Sequence, residues 1–176
     1  MTVSLSGATV AVRRARPGDA AAIAGIYNAG IRGRTATFET VERSADDVLA
    51  WLAASDLDAR PLLVAVRSGK DTSEVVGFAR ASIYRPRACY AGIGEFSVYV
   101  AEHARGRRIG DALMQSFLPA CANAGLWKLV SRIFPENAPS RALCARHGFR
   151  EVGTYAKHAM LDGVWRDVVI VERGLP

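Results

Sequence analysis

One segment in the middle of the chain joins a strand to a helix through a short basic loop, and it constrains the fold more than any other feature. Residues 95–100 form an apolar, strand-like run, and residues 109–124 carry apolar or small side chains at a helical period. Residues 126–134 are then predicted to form another strand. Such a β-helix-β passage places both strands in one sheet. Pro119 within the intervening helix would cost ~3 kcal/mol and is expected to kink it, unless the helix ends earlier.

Further strand-type runs flank this passage on both sides. Two runs separated by a short turn predict a hairpin before it, and two strands around Asp162-Gly163 predict another after it. The first hairpin covers 61–66 and 74–82, and the second covers 151–159 and 164–173. An early strand is predicted at 10–14 and a possible short one at 36–38. Hairpins combined with one β-helix-β passage predict an α+β fold with a mixed sheet.

Local capping signals mark the beginnings of the other helices. Asp19 is expected to cap the helix that follows it. Ser44 followed by Asp47 resembles a capping box and predicts a second helix. Asn137 is predicted to cap a short helix that ends at Gly148.

The composition fits one globular domain spanning residues 1–176. Half of the residues are apolar and 23% are charged, which is unlike a disordered chain. No window reaches ~18 consecutive apolar residues, so we expect no membrane-spanning helix. The cysteines predict neither a disulfide framework nor a metal site, since they are odd in number and unevenly spaced: Cys89, Cys121 and Cys144. A reducing cytoplasm is the expected location.

The positive charge of the chain admits three interpretations. Lys and Arg number 23 against 17 Asp and Glu, which gives a net charge of +6. The surplus could reflect nucleic-acid binding, a phosphate-bearing cofactor or anionic substrate, or an Arg-favouring proteome. The arginines are spread along the chain, with two local concentrations, at 85–87 and 105–108.

The second concentration lies where the strand of 95–100 passes into the helix. The free backbone N–H groups of a helix start bind phosphate, and arginines add charge-assisted contacts. Glycines at 106 and 110 would let the backbone approach a ligand closely. The Lys and hydroxyl of a Walker loop are absent, which disfavours nucleotide hydrolysis. The alternative is a helix start with solvated arginines.

The strand, this R-x-x-G-x-G/A-like loop and the helix resemble the acetyl-CoA site of the GNAT superfamily of N-acetyltransferases. The run from Asn137 to Phe149 looks like the superfamily's N-x-x-S…G-F helix. Five segments resemble the phosphinothricin N-acetyltransferase group, namely 26–28, 35–39, 84–90, 95–100 and 163–168. The resemblance implies a mixed, mostly antiparallel twisted sheet flanked by about four helices, with acetyl-CoA in the cleft between central strands.

The same resemblance implies which residues hold acetyl-CoA. They are Val98, Tyr99, Val100, Arg105, Gly106, Arg107, Arg108, Ile109, Gly110, Asp111, Asn137 and Ser140. Arg108 stands where the family usually has glycine, and an ordinary negative φ is expected there. Cys144 stands where the family usually has Tyr or His.

The implied reaction is direct attack of an amine on the acetyl group, which needs a base to remove the ammonium proton. Glu95 matches the family's base; the alternative is a strand-end carboxylate paired with an arginine. Backbone N–H groups around Val98–Val100 would stabilise the oxyanion and pair with the pantetheine arm. Cys144, with an ordinary thiol pKa of ~8.5, could protonate the leaving thiolate or be a small core residue. His147, Tyr99 and Tyr155 are other candidate acids, and the thiolate could also leave unaided.

The resemblance also implies an acceptor site and a substrate class. The residues concerned are Asn28, Phe38, Tyr84, Arg85, Arg87 and Tyr90. Arginine forks suit a carboxylate or phosphinate, which favours a small amino acid with an acidic side group, such as phosphinothricin, arsinothricin or methionine sulfone or sulfoximine. Acetylation of protein N-termini or polyamines is one alternative, and a non-catalytic nucleic-acid-binding module is another. A homodimer is also implied, with no nucleic-acid or membrane partner.

Overall fold

A computed structural model of the chain describes residues 2–5, 8–54, 58–69 and 72–176. Its described strands form one sheet in the order β1-β2-β3-β4-β5-β6-β8-β7. The strands are β1 Thr2–Leu5, β2 Ala8–Arg14, β3 Leu62–Ser68, β4 Ser73–Ile83, β5 Ile93–Val100, β6 Lys128–Ile133, β7 Arg150–Leu161 and β8 Val164–Gly174. The α-helices in these ranges are α1 Ala20–Arg32, α2 Ala45–Ala54, α3 Ile109–Asn123 and α4 Ala138–Arg146.

The sheet is mixed and mostly antiparallel, as predicted. Every neighbouring pair of strands is antiparallel except β5 and β6, which the α3 passage makes parallel. Two details differ from expectation: residues 36–38 form bends and loop instead of a strand, and β1 precedes the first predicted strand. The fold class is therefore confirmed, although the strand predicted at 36–38 is absent and β1 was not predicted.

Two of the three predicted helix caps are confirmed. The Ser44 N–H donates to Asp47 Oδ2 at 2.7 Å, and the Asp47 N–H donates to Ser44 Oγ at 3.1 Å. The Asn137 side chain accepts the Ser140 N–H at 3.2 Å. The third is wrong in its bonding: Asp19 is the N-cap residue of α1, but its carboxylate makes no bond to the N–H groups of that helix. It accepts the Arg16 N–H at 2.7 Å and the Arg13 guanidinium of β2 at 2.7 and 2.8 Å.

One part of the core lies between the sheet and α3. Leu113, Met114 and Phe117 of α3 are fully buried, and Phe117 packs against Phe96 of β5 with 6.4 Å between ring centroids. These buried residues belong to the apolar, helical-period pattern that predicted this helix. The helix does not end before Pro119 but continues through it to Asn123. Burying this stripe holds the beginning of α3 against the middle of the sheet.

The parallel pair of strands diverges soon after it begins. β5 and β6 are registered only at Ile93–Lys128, Gly94–Leu129 and Glu95–Val130. On its other side, β5 stays paired with β4 as far as Val100. One edge of β5 beyond Glu95 is therefore left without a strand partner from β6, in the centre of the sheet.

Candidate active site

A long cleft lies along this open edge of β5, between the loop before α3 and α4. It has a volume of about 1070 Å³ and is called the α3 cleft below. All but one of the residues predicted to hold acetyl-CoA line it, namely Val98, Tyr99, Val100, Arg105, Gly106, Arg108, Ile109, Gly110, Asp111, Asn137 and Ser140. The exception, Arg107, is exposed outside this lining.

The backbone of β5 presents N–H groups to the α3 cleft. The Ala101 N–H donates to the Val76 carbonyl of β4 at 2.9 Å. Because hydrogen-bonding directions alternate along an antiparallel pair, Tyr99 also directs its N–H towards β4. The N–H groups of Val98 and Val100 therefore point to the opposite side, into the gap left by β6.

The loop before α3 has the left-handed turn that a phosphate-binding loop needs. Gly106 has a φ of +72° and Arg108 a φ of +56°. The ordinary φ expected for Arg108 is therefore wrong, since arginine adopts the conformation that glycine would take more easily. The first intrahelical donor is the N–H of Ala112, to the Arg108 carbonyl at 3.0 Å.

The N–H groups of residues 109–111 precede this bond and have no intrahelical acceptor. With the Arg105 and Arg108 guanidinium groups in the same lining, they form a donor set suited to a polyphosphate. These donors, together with the open edge of β5, fit an extended ligand with a phosphorylated end.

Asp111 lies in the same cleft but is neutralised by α4. The Arg146 Nε donates to its carboxylate at 3.1 Å, and the His147 Nε2 is 3.0 Å away. Burial acts to raise the pKa of Asp111, but the hydrogen bonds from these partners outweigh it, and the pKa lies below its ordinary value. Because Asp111 is paired, its negative charge is compensated where it lies, at the beginning of α3.

A second cavity of about 640 Å³ adjoins the α3 cleft and is lined by Glu95 of β5 together with residues of β4 and β6. It is called the Glu95 cavity below. It shares with the α3 cleft the residues Ala36, Val98, Tyr99, Asn137, Ser140 and Leu143. The two spaces therefore meet at the part of β5 that follows Glu95.

Glu95 is held by an arginine of the neighbouring strand. Glu95 is registered with Val130, so Arg132, two residues further along β6, shares its face of the sheet. The Arg132 Nη1 donates to Glu95 Oε1 at 2.6 Å, and the Glu95 side chain is 27% exposed. The arginine partner anticipated as an alternative is thus present, and it leaves Glu95 accessible in the cavity wall.

The candidate acids occupy different environments. Cys144 is buried in the wall of the Glu95 cavity, and burial raises the pKa of its thiol to about 12. The ordinary thiol pKa assumed from the sequence is therefore wrong. Burial also raises the pKa of Tyr99, whose hydroxyl donates to the Ala36 carbonyl at 3.4 Å. His147 faces Asp111, and Tyr155 lies outside both linings.

The residues predicted to contact the acceptor are only partly brought together. Phe38 lines the Glu95 cavity, edge-on to Phe134 at 4.8 Å between ring centroids. Asn28 is buried elsewhere and exchanges two hydrogen bonds with the Arg43 backbone, at 2.9 and 2.8 Å. The loop residues Tyr84, Arg85, Arg87 and Tyr90 lie outside both linings. The Arg85 guanidinium stacks on the Tyr84 ring at 5.3 Å.

The Glu95 cavity contains one arginine that sequence reasoning missed. Arg80 of β4 lines it, with its guanidinium carbon 4.3 Å from the centroid of the Trp51 ring. Burial lowers the pKa of Arg80 from its ordinary value. The signal was the single arginine near the end of the otherwise uncharged run 75–81, because a charged side chain is rarely buried in a strand without a partner or a role.

In the described ranges, no three or more His, Cys, Asp or Glu side chains come together in a way that could hold a metal ion. No helix in the same ranges has the length and apolarity required to cross a bilayer.

Comparisons with known proteins agree with this geometry. The sequence model of the acetyltransferase (GNAT) family matches residues 29–149. A phosphinothricin N-acetyltransferase of Streptomyces coelicolor is 35% identical over 91% of this chain and 95% of its own length. An L-methionine sulfoximine/L-methionine sulfone acetyltransferase of Pseudomonas paraeruginosa is 29% identical over 95% of each chain. A GNAT superfamily phosphinothricin acetyltransferase from Sinorhizobium meliloti, solved with AcCoA, has a TM-score of 0.86 and 27% identity, covering 94% of this chain and 88% of that one.

Proposed function

Because this chain belongs to the acetyltransferase (GNAT) family, we propose that it transfers an acetyl group from acetyl-CoA to the α-amine of a small amino acid whose side group is acidic, as in phosphinothricin, or is a neutral sulfone or sulfoximine of similar shape. The observation that carries the proposal is the meeting of the α3 cleft and the Glu95 cavity beside Glu95. One space suits a long phosphorylated ligand. The other is lined by two carboxylates, Glu39 and Glu95, and by two arginines, of which Arg80 has no carboxylate partner among the described residues. A small acceptor in the second space would have its amine close to both the base and the acetyl group.

Acetyl-CoA would be held by main-chain groups and arginines of the α3 cleft. The N–H groups of Val98 and Val100 would pair with its amide-containing arm, as an added strand pairs with a sheet edge. The N–H groups at the beginning of α3, with Arg105 and Arg108, would take its pyrophosphate. Acetyl-CoA supplies an activated acetyl group and a thiolate leaving group.

Glu95 would act as the general base. An ammonium group has no lone pair for attack, so the Glu95 carboxylate accepts its proton, directly or through one water. Arg132 is a positioning residue here, because its bond to Oε1 orients the carboxylate, while Oε2 receives no hydrogen bond from the described residues. An N–H group of the Val98–Val100 edge stabilises the negative charge that develops on the acetyl oxygen.

Cys144 is a weak candidate for the general acid. A thiol with a pKa of about 12 holds its proton more tightly than an ordinary thiol of pKa ~8.5. Moving that proton to the leaving thiolate would cost roughly 4 to 5 kcal/mol at ~1.4 kcal/mol per pKa unit. We therefore propose that the thiolate leaves without a proton from Cys144, which serves as a small core residue.

A thiol-release assay with acetyl-CoA and a panel of acceptors tests the function. We expect turnover with phosphinothricin or methionine sulfone, and little with spermidine, whose cationic chain would meet Arg80 and Arg132. A peptide with a free N-terminus tests acetylation of protein N-termini, and a duplex DNA titrated at several salt concentrations tests nucleic-acid binding. Absence of turnover with every amino acid of the panel rejects the substrate class.

Glu95→Gln tests the base. The amide keeps the shape of the side chain but cannot accept the ammonium proton, so kcat/KM should fall by ~10²-fold or more. Near-wild-type activity would remove Glu95 from the mechanism. A matched control is Glu102→Gln, since Glu102 is exposed in the short turn Glu102–Ala104 and lines neither space.

We also propose that the enzyme is a homodimer located in the cytoplasm. The observation in favour of a dimer is the edge hairpin β7–β8, which exposes the large apolar side chains Val152, Tyr155, Met160, Val164 and Trp165. Exposed apolar side chains on an edge strand are typical of an interface. Sedimentation equilibrium tests the dimer, and fractionation of the producing cells tests the location.

A further inference from the structure

We infer that Arg80, stacked on Trp51, is an anion-binding residue for the acceptor within the Glu95 cavity. The ligand class is an oxyanion carried by the acceptor itself: its α-carboxylate or an acidic side group such as a phosphinate. This inference deepens the proposed function and rests on it. It moves the anion site from the exposed loop of Arg85 and Arg87 to the interior of the cavity.

The first argument is the position of Arg80 in the sheet. Arg80 is registered with Ser97 and Ser82 with Glu95, so Arg80 and Glu95 lie on the same face of neighbouring strands. Their relation is diagonal, at about 7–8 Å between backbones. One small molecule could therefore place an amine at Glu95 and an anion at Arg80.

The second argument is the lack of a counterion for Arg80. The two cavity arginines differ in this respect: Arg132 is paired with Glu95, whereas among the described residues no carboxylate lies within 4.0 Å of the Arg80 guanidinium. Trp51 covers one face of the guanidinium by a cation–π contact, which leaves the N–H donors at its rim for a ligand. A half-buried cation without a partner is costly, and an incoming anion removes that cost.

The third argument is that Arg80 is held in place before any ligand arrives. Trp51 itself packs edge-on against Tyr27 at 5.5 Å between ring centroids, and Tyr27 packs against Tyr99 at 5.0 Å. The guanidinium is thus supported by an aromatic chain that reaches the junction with the α3 cleft. A preorganised fork of this kind loses less entropy when it binds a planar or tetrahedral oxyanion.

Three acceptors with the same skeleton test the inference. Phosphinothricin carries an α-carboxylate and an anionic phosphinate, methionine sulfone replaces the phosphinate by a neutral sulfone, and methionine sulfone amide has neither anion. Each is titrated calorimetrically in the presence of CoA and assayed for kcat/KM. The proteins are the wild type, Arg80→Gln, Arg80→Lys and the control Arg67→Gln, which removes the same charge from an exposed ion pair with Glu74.

We expect Arg80→Gln to weaken acceptor binding by about 10- to 100-fold, the usual worth of a charged hydrogen bond. An effect confined to phosphinothricin assigns Arg80 to the acidic side group. An effect on both acids that spares the amide assigns it to the α-carboxylate. Either result supports the inference, and Arg80→Lys should recover part of the affinity because it restores the charge.

Three results would overturn the inference. In the first, Arg80→Gln behaves like Arg67→Gln. In the second, it weakens all three acceptors equally, which indicates that Arg80 only supports Trp51. In the third, the wild type binds none of the acceptors. If the wild type binds phosphinothricin through Arg80 but releases no thiol, the anion site stands and the proposed function fails.

Discussion

Gly77 of β4 lies where the sheet, β5 and the beginning of α3 meet, and enlarging it should disturb the α3 cleft. A Cβ atom at Gly77 would lie 2.9 Å from the Tyr99 carbonyl oxygen, 3.2 Å from Leu113 Cδ1 and 3.3 Å from Ile109 Cγ2. The first contact is with backbone inside the β4–β5 pairing, which cannot turn aside as a flexible side chain can. Gly77→Ala must therefore push β5 or α3 outward.

The expected cost is about 1 to 3 kcal/mol, the usual range for inserting a methyl group into a packed core. For a chain of this size, 1 kcal/mol corresponds to about 2–4 °C in Tm, so the variant should melt about 2 to 12 °C below the wild type. Gly25→Ala is a matched control, because a Cβ there meets nothing within 4 Å and Gly25 is exposed within α1. The same substitution should there stabilise the protein by ~1 kcal/mol.

Acetyl-CoA provides the second readout, since the displaced groups belong to the cleft. A ligand at 100 times its Kd stabilises the native state by ~2.7 kcal/mol, and a tenfold weaker Kd reduces this to ~1.4 kcal/mol. Thermal melts with and without acetyl-CoA should therefore show a smaller ligand-induced rise in Tm for Gly77→Ala than for Gly25→Ala. If both variants melt alike and respond equally to acetyl-CoA, the argument from close contact is refuted.

Substitutions at three other positions test local features. Asp19→Asn should lower the free energy of unfolding by ~2 kcal/mol, measured by urea denaturation, since Asn cannot form the charged fork with Arg13. The Arg13 hydrogen bond lowers the pKa of Asp19 below 3.8, so the stabilisation by Asp19 is full above about pH 5 and disappears as the pH falls through the lowered pKa. If the stability difference between wild type and Asp19→Asn grew in acid, this reasoning would be contradicted. Arg108→Gly should be more stable than Arg108→Ala by ~1 kcal/mol in the same assay, because only glycine adopts a φ of +56° without strain, and equal stability would argue against strain. Cys144→Ala should change kcat less than ~3-fold with an unaltered pH–rate profile, and a large pH-dependent loss would restore Cys144 as the acid.

The features that the sequence predicts well are those decided by near neighbours. The Ser44–Asp47 box and the Asn137–Ser140 cap each join groups three residues apart, so the pattern contains both partners. The face of α3 is equally local, because a helical period specifies which side chains share a stripe. The strand, loop and helix of the α3 cleft follow from such signals.

The features that it predicts poorly depend on distant partners. Asp19 carries the residue type of a cap, but the side chain of Arg13 on the neighbouring strand offers it a stronger, two-pronged bond. Arg80 and Arg85 are five positions apart, yet Arg80 lies within β4 and lines the Glu95 cavity, whereas Arg85 lies in the exposed loop after β4 ends at Ile83. Which face of β4 is covered depends on the elements packed against it, and these are distant in sequence. The left-handed φ of Arg108 likewise follows from the helix start and not from any preference of arginine.

The short stretch over which β5 and β6 are paired has a consequence for local opening of the protein. The described sheet consists of a five-stranded part, β1 to β5, and a three-stranded part, β6 to β8, whose main chains are registered at only three residue pairs. The α3 cleft is lined by Tyr99 of β5 and by Ile109 of α3, a helix that packs against β3 and β4 of the first part. It is also lined by Asn137, which lies in the loop after β6 of the second part. A ligand there would brace the two parts against separation, so amide hydrogen exchange at residues 128–130 should slow when acetyl-CoA binds, even though these residues lie outside the cleft.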